Sequence, residues 1–343
     1  MKSAVMKLAA MKPAVMKPAA MKAAAMKQKG TMDMEFNNRE DIIAITPQWK
    51  GERLPDGRPK VPDKYLDALY DMTLEELWKP IFVQGYENQF IAMKSLHPEF
   101  KEDGSVNKKL VGRALTAMYA PTRPDYYEAT CNIAAAQGFT GTPNQWVIDK
   151  LGDRDVLVVD MFDKIYKGTF VGGNLTTAIK TKTGSGGAVI WGGIRDVEQM
   201  KRVQDIQVYY RGIDPTPIRD FAMMGMNTPV RLGAGREAAI CLPGDIVYGC
   251  SGGILFIPPH LVADVVDGGK KTQIKDIFGF RMITENRFTT AQIDKNTWSE
   301  EMLDLLMEFI KNDPEGEPYR DIDWSKEYDL ARNGDPNDTQ SAL

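Results

Sequence analysis

An arginine and an aspartate stand side by side at the end of an apolar run, as Arg195 and Asp196 in GGAVIWGGIRD (186–196). The planar guanidinium of an arginine can meet a carboxylate or an oxo group with two hydrogen bonds. Glycines precede the pair at positions 172, 173, 184, 186 and 187, which indicates that backbone must come close to another group. The simplest alternative is an exposed ion pair at a strand end, which would contribute at most ~1 kcal/mol to stability.

A helix and a strand are predicted to position this pair. NLTTAIKTKTG (174–184) is typical of a helix that ends at Gly184, and GGAVIWGGI (186–194) is typical of a buried strand. The free amides and the dipole at a helix N-terminus favour an anion, so the start of this helix is a candidate anion site. Lys180 and Lys182 follow on the same helix, where we expect a solvated face.

The chain around this unit alternates apolar runs with helical patterns, which predicts an α/β layered core. Strands are predicted at 110–120, 155–162 and 206–212, and helices at 143–151 and 196–204. From residue 228 onward, Pro-Gly and Gly-Gly turns break up short strands, which indicates a small additional β layer. Helical spacing also occurs at 63–86, with Thr73 as an N-cap, and at 299–312, with Ser299 as an N-cap.

Several charged residues close to predicted strand ends leave two interpretations open. Arg113 and Arg211 could each contact an anion or be surface charges. Asp160 and Asp163 could stand at the mouth of a site or cap the turn that follows their strand.

Several classes of site are disfavoured by the sequence. The glycines 184, 186 and 187 do not complete GxGxxG, since the third glycine falls on Val189, and no GxxxxGK[ST] occurs. Only two histidines are present, which argues against a His-rich zinc site or a Ser-His-Asp triad. The three cysteines are far apart, as expected for thiols in a reducing compartment, so we predict a cytoplasmic protein. No apolar run approaches the length of a membrane span, and no membrane partner is expected.

The first 30 residues repeat a five-residue Met-Lys unit and contain seven lysines and no acid. A period of five does not match a helix, and Pro13 and Pro18 interrupt the segment, so we interpret 1–31 as an expression tag or low-complexity segment. The net charge is −4, and without those lysines it is −11, which argues against nucleic-acid binding.

The predicted organisation is a wrapping and helical region at 32–109, a core domain at 110–280 and a helical extension at 281–343.

Five segments follow one another in an ordered series: LVGRALTA (110), LGDRDVLVVD (151), the glycine-rich stretch 172–196, YYRG (209) and LPGDIVYGCSGGILFIPP (242). Together and in this order they resemble the RraA-like family, which is named for the regulator of ribonuclease E activity A. That family includes 4-hydroxy-4-methyl-2-oxoglutarate aldolases. The resemblance implies a compact α/β/β sandwich, here with an added N-terminal helical region and a C-terminal helical extension. It also implies a homotrimer or hexamer with active sites between subunits.

The resemblance assigns roles to the residues of the glycine-rich stretch. Asp196 corresponds to the aspartate that holds a divalent metal largely through waters, and Arg195 to the catalytic arginine beside the 2-oxo acid. Gly173, Asn174 and Leu175 correspond to the helix N-terminus whose amides bind the substrate carboxylate. Mg²⁺ or Mn²⁺ suits an oxygen-only site in a chain so poor in histidine and cysteine.

The implied activity is a metal-dependent lyase on a 2-oxo acid, acting by aldol cleavage or decarboxylation. Two positions depart from the family pattern, because Asn174 stands where an acid or a glycine is usual and Gln199 where an acid is common. These departures leave open a non-catalytic binding or regulatory protein, or a different reaction of 2-oxo or sugar acids at the same site.

Overall fold

The strands predicted around Arg195 form the middle of one mixed sheet in the computed structural model, which describes residues 38–98, 101–103, 107–250 and 252–334. The strands are β1 (Phe90–Ala92), β2 (Lys94–Ser95), β3 (Leu110–Pro121), β4 (Asp155–Asp160), β5 (Gly187–Ile194), β6 (Gln207–Ile213), β7 (Phe221–Met226), β8 (Val230–Leu232), β9 (Ala239–Cys241), β10 (Ile246–Cys250) and β11 (Gly253–Ile257). The helices are α1 (Arg39–Ile45), α2 (Asp63–Leu69), α3 (Leu74–Phe82), α4 (Pro124–Ala136), α5 (Pro143–Asp149), α6 (Gly173–Thr183), α7 (Val197–Met200), α8 (Val262–Thr284), α9 (Thr290–Ile293), α10 (Glu300–Asn312) and α11 (Ser325–Asn333).

The sheet runs in the order β1-β11-β10-β3-β4-β5-β6-β2, and β7 pairs with the second half of β3. Strands β3 to β6 are parallel, and the outer pairs are antiparallel. The carboxyl ends of β4, β5 and β6 therefore lie at one edge of the sheet, which is where ligands bind in open α/β sheets.

Alternate side chains of the central strands enter two different cores, as the two-residue period of a strand requires. Leu157 and Val159 of β4 pack with helices α4 to α7, whereas Val156 and Val158 pack with the separate hairpin β8–β9. Helices α2, α3 and α8 cover the other end of the sheet on β10, β11 and the start of β3. These layers form the α/β/β sandwich expected from the sequence, with additional helices at both ends of the chain.

The turn-rich segment before α2 is fixed to the sheet by a buried ion pair. Arg58 is 3% exposed, and its two terminal nitrogens lie 2.8 and 3.0 Å from the carboxylate oxygens of Asp155 at the start of β4. It also donates to the Ala114 carbonyl and to the Asp56 carboxylate. Burial alone would lower the pKa of the Arg58 guanidinium, but the two carboxylates more than offset this effect and raise it.

Arg113 lies beside this segment and corrects one expectation. It is 3% exposed, donates to the Val61 carbonyl and pairs with Asp63, so it is not a surface charge. Its place is at the amino-terminal half of β3, in register with Asp155, at the edge of the sheet opposite Arg195.

Most of the helices and strands predicted from the sequence are present in the structure, with local differences. The helical spacing over 63–86 forms two helices, because the capping box of Thr73 and Glu76 starts α3 after a turn. The helix expected over 196–204 is the single turn α7. Helix α4 and strand β7 are additional elements. The predicted tag at 1–31 lies outside the described residues, and none of the described helices is long and apolar enough to span a membrane.

Candidate active site

A single bridge brings the glycine-rich helix beside the Arg-Asp pair. Val171 forms a parallel bridge with Ile194, and the Arg195 amide donates to the Val171 carbonyl at 3.0 Å. Gly172 is the N-cap of α6, so the helix begins as the chain leaves this bridge. The sequence positions 172–175 and 195–196 thus meet at the carboxyl end of β5.

The first turn of α6 leaves backbone donors available at this place. The Thr176 amide makes the first bond of the helix, to the Gly172 carbonyl at 3.0 Å. The amides of Asn174 and Leu175 have no partner within the described chain, and the Gly173 amide lies 3.4 Å from Asp196 Oδ2. These N–H groups, with the positive end of the helix dipole, form a place for an anion.

The glycines ahead of the pair are required by close packing. A Cβ atom at Gly172 would overlap the Asp196 carboxylate and lie 3.1 Å from Arg195 Nε. A Cβ atom at Gly173 would lie 2.9 Å from Gln199 Oε1. The backbone of the helix start therefore touches the side chains of Arg195, Asp196 and Gln199 directly.

Asp196 has an unusual backbone conformation for a residue with a side chain. Its φ of 52° and ψ of 37° are left-handed, a region that aspartate and asparagine tolerate better than most residues. Arg195 Nε lies 3.3 Å from Asp196 Oδ2, and the two side chains are 24% and 38% exposed. One carboxylate oxygen thus serves Arg195 and Gly173, and the other accepts no hydrogen bond from the part of the chain that the structure describes.

The chain contains a second Ile-Arg-Asp tripeptide, and comparing the two shows which features of the Arg195–Asp196 pair are local and which belong to the site. Asp220 is also left-handed, with φ 60°, and Arg219 Nε lies 3.2 Å from Asp220 Oδ2. That pair is more exposed, at 61% and 56%, and precedes β7 rather than standing at a helix N-terminus. An Arg-Asp ion pair therefore follows from the tripeptide and its conformation, whereas the meeting with α6 is particular to Arg195 and Asp196.

The loop between β4 and α6 supports the site from one side. The Gly193 amide donates to the Lys164 carbonyl at 2.8 Å, and the Phe170 amide donates to the Gly193 carbonyl at 2.9 Å. Buried Asn144 at the start of α5 donates to the Phe170 carbonyl at 2.6 Å. The sequence analysis did not single out Asn144, because nothing in its local spacing shows that it meets a loop 26 residues away.

The other charged residues named from the sequence lie around this edge with partners of their own. Arg211 pairs with Asp163 at 3.0 Å and stacks on the Trp191 ring at 4.3 Å. Asp160 accepts a bond from the Phe162 amide at 2.9 Å, which is the turn-capping alternative, and burial raises the pKa of its carboxyl.

The two helix lysines make contacts outside the candidate site. Lys180 and Lys182 donate to the Gly184 and Asp149 carbonyls, at the far end of α6 from the anion place.

The ligands available to a metal ion at this site are few. Asp196 provides a carboxylate and Gln199 an amide oxygen, and the described residues contain no group of three or more His, Cys, Asp or Glu side chains arranged around a cation. Mg²⁺ keeps several waters and is held by one or two carboxylates in many sites, so this set fits only an ion that retains most of its water.

Comparison with known proteins shows the family to which this fold belongs. The profile of the RraA-like family, aldolase/RraA, matches residues 69–256, which is more than half of the chain. The chain belongs to the RraA-like family. The matched residues include β3 to β6, α6 and the Arg195–Asp196 pair, so the candidate site lies within the RraA-like part. A comparison with curated protein sequences finds no match.

Two solved structures share the fold at low sequence identity. RraAS2 of Streptomyces coelicolor, an unusual member of the RNase ES inhibitor RraA protein family, is 20% identical with a TM-score of 0.52, over 65% of this chain and 99% of that one. An uncharacterised protein from Pseudomonas syringae pv. tomato DC3000 is 18% identical with a TM-score of 0.54, over 71% of this chain and 98% of that one. At these identities the likeness shows the RraA-like fold alone.

Proposed function

We propose that this RraA-like chain is a divalent-metal-dependent lyase that cleaves a C–C bond of a 2-oxo acid. The observation that supports it is the Val171–Ile194 bridge, which places amide donors, a guanidinium and a carboxylate at one end of β5. Amide donors can bind the carboxylate of a 2-oxo acid, and a guanidinium can polarise its adjacent oxo group. A protein carboxylate can hold a metal ion beside that oxo group, where negative charge develops when the neighbouring C–C bond breaks.

Substrate binding would use the groups that the fold leaves without partners. The amides of Asn174 and Leu175 would receive the substrate carboxylate at the α6 N-terminus. The terminal nitrogens of Arg195, whose Nε is engaged by Asp196, would hydrogen-bond the 2-oxo oxygen. Asp196 would keep the guanidinium in this orientation and hold the divalent ion through bound waters.

The reaction would pass through an enolate of pyruvate type. A divalent ion at this place supplies Lewis-acid polarisation of the 2-oxo oxygen. When the bond from C3 to C4 breaks, its electron pair moves to C3 and is delocalised onto the 2-oxo oxygen beside Arg195. The C4 fragment leaves as a carbonyl compound after loss of its hydroxyl proton, or as carbon dioxide, and C3 then takes a proton from water.

A non-catalytic regulatory protein is the second candidate. It is favoured by two amides, Asn174 where the family pattern has an acid or a glycine, and Gln199 where an acid is common. RraAS2, which shares the fold, is named as a member of an RNase ES inhibitor family. Such a protein would need no ion at Asp196.

The two candidates are distinguished by turnover and its metal dependence. The purified protein should cleave at least one member of a panel of 2-oxo acids in the presence of Mg²⁺ or Mn²⁺, and a chelator should abolish the reaction. Turnover that survives the chelator would contradict the metal-dependent lyase. A complete lack of turnover across 4-carbon to 7-carbon 2-oxo acids would support the regulatory candidate.

Arg195→Lys is expected to lower turnover by roughly a hundredfold, which corresponds to loss of one transition-state donor worth ~3 kcal/mol. Lysine keeps the charge but cannot bond both Asp196 and the substrate with one planar group. Steady-state kinetics on the best panel substrate measure this change. Arg219→Lys, in the second Ile-Arg-Asp tripeptide, is the matched control and should be unchanged.

Gly172→Ala is expected to lower turnover by about tenfold or more, because the added methyl group pushes the Asp196 carboxylate and Arg195 out of position. The φ of Gly172 is −140°, which alanine adopts freely, so backbone strain does not contribute. Gly252→Ala, whose nearest contacts would be at 3.9 and 4.0 Å, is the control. Equal kinetics for both variants would show that the close approach of α6 has no role in the reaction.

The protein is expected to be a homotrimer or hexamer. Large apolar side chains are exposed at the carboxyl edge of the sheet, namely Phe162, Tyr166 and Ile213. Exposed apolar groups gathered near a site are typical of an interface. Light scattering should give three or six times the chain mass at micromolar concentration, and Tyr166→Asp should shift it toward the monomer. A monomeric wild type would contradict this prediction.

A further inference from the structure

A cavity of about 350 Å³ lies apart from the residues of the candidate active site. Its walls come from the segment after α1, the loop before β1, the β9–β10 turn and the residues that follow β11. We name it the Trp49 cavity, after a residue of its wall. Most of its surface is apolar, and its polar groups are few and converge from different parts of the chain, as in small-molecule sites.

A buried carboxyl group lies in the wall of the Trp49 cavity. Asp245 is 4% exposed, and one oxygen accepts a bond from the Leu242 amide at 2.8 Å within the β9–β10 turn. The other oxygen has no hydrogen-bond partner in the described chain, and no lysine or arginine of that part pairs with the group. Burial raises the pKa of this carboxyl to about 7, and a cation beside it would favour its ionised form.

Two side-chain oxygens in the cavity wall, one of Asp245 and one of Gln89, accept no hydrogen bond from the described residues. The Gln89 amide nitrogen donates to the Asn88 carbonyl, and its oxygen has no partner among the described residues. Trp49 Nε1 donates to the Glu52 carbonyl at 2.8 Å, and the Tyr86 hydroxyl is paired with His260 Nε2 at 3.0 Å. The Trp49 indole is thus engaged within the chain, whereas the Gln89 amide and the Tyr86–His260 pair each keep at least one N–H or O–H that these bonds do not use.

Arg53, the charged side chain that contacts the cavity wall, does not neutralise Asp245. The Arg53 guanidinium donates to Thr46 and to the carbonyls of Gly57 and Trp49, so it fixes the wall of the cavity. It forms no ion pair with Asp245. The aromatic faces of Trp49 and Tyr86 add surfaces on which a cation is favourable.

We propose that the Trp49 cavity binds a small primary amine with an apolar body, whose ammonium group meets Asp245 and Gln89. The carboxyl without a counter-ion, the Gln89 oxygen and the aromatic wall together favour a cation with an apolar body. The proposal does not depend on the lyase function, since the cavity shares no residue with the Arg195–Asp196 site.

Calorimetric titration of the full chain with benzylamine, and with benzyl alcohol as its uncharged analogue, tests the proposal. Benzylamine should bind at one site at least about tenfold more tightly than benzyl alcohol, because the alcohol can give the carboxylate a hydrogen bond but no positive charge. Asp245→Asn should remove that preference. Asp196→Asn should leave benzylamine binding unchanged.

A second variant keeps the test decisive if Asp245→Asn does not fold. Ile240 is 47% exposed in the cavity wall, so Ile240→Trp should keep the fold and narrow the cavity. It should weaken benzylamine binding by about tenfold or more, as expected when overpacking excludes a ligand. Equal affinity for the amine and the alcohol, or binding that Ile240→Trp leaves unaltered, would overturn the proposal.

Discussion

Asp196→Asn is expected to reduce metal-dependent turnover of a 2-oxo acid by at least about a hundredfold, with little change in melting temperature. Asparagine tolerates the left-handed backbone of this position, so the substitution removes charge without adding strain. It weakens the hold on Arg195 and removes the carboxylate that lies 3.4 Å from the Gly173 amide at the start of α6. Steady-state kinetics with varied Mg²⁺ measure the loss.

The second Ile-Arg-Asp tripeptide provides the control for this experiment. Asp220→Asn makes the same chemical change at a residue with φ 60° and an ion pair of 3.2 Å to the preceding arginine. It should leave turnover and its Mg²⁺ dependence unchanged, because no helix N-terminus meets that pair. If both variants kept wild-type turnover, the pair at 195–196 would be an ordinary surface ion pair and the lyase proposal would be wrong.

Arg58→Met is expected to lower the free energy of unfolding by about 3–5 kcal/mol, the largest change in stability that we foresee. The substitution leaves the Asp155 carboxylate, which is 1% exposed, with a single bond from the Gly152 amide. It also frees the segment before α2 from β4. Denaturant titration measures the effect, and Arg123→Met, which breaks the exposed pair with Asp125, should show no measurable change.

The double variant Arg58→Met with Asp155→Leu separates two explanations of that loss. If the cost arises from the unpaired buried charge, removing both partners should recover a large part of the lost stability. No recovery would mean that the hydrogen bonds to Ala114 and Asp56, rather than the charge pair, hold the segment in place.

The sequence was sufficient where local pattern decides the structure. The apolar run of β5, the Gly184 end of α6 and the caps at Thr73 and Ser299 all occur as predicted. Helix α4 was missed because it buries only Thr130 and Ala134 and so lacks an apolar period.

The meeting of distant residues was beyond the reach of local pattern. No spacing rule shows that Val171 bridges Ile194 or that Arg113 is buried against Val61. For the candidate site, the family pattern supplied the residues, whereas the contact between the helix glycines and the Asp196 carboxylate required the folded chain.

Helix α8 belongs to two cores at once. Its first half buries Val262, Val265 and Val266 with α2, α3 and the sheet, and its second half buries Ile274 and Phe278 with α10 and Trp298. Because each turn of a helix stabilises the next, unfolding at one end of this continuous helix of 23 residues destabilises the turns beside it. Unfolding of the C-terminal helices would therefore fray α8 toward the sheet, and slow amide exchange in its middle turns would report the cooperative link between the two cores.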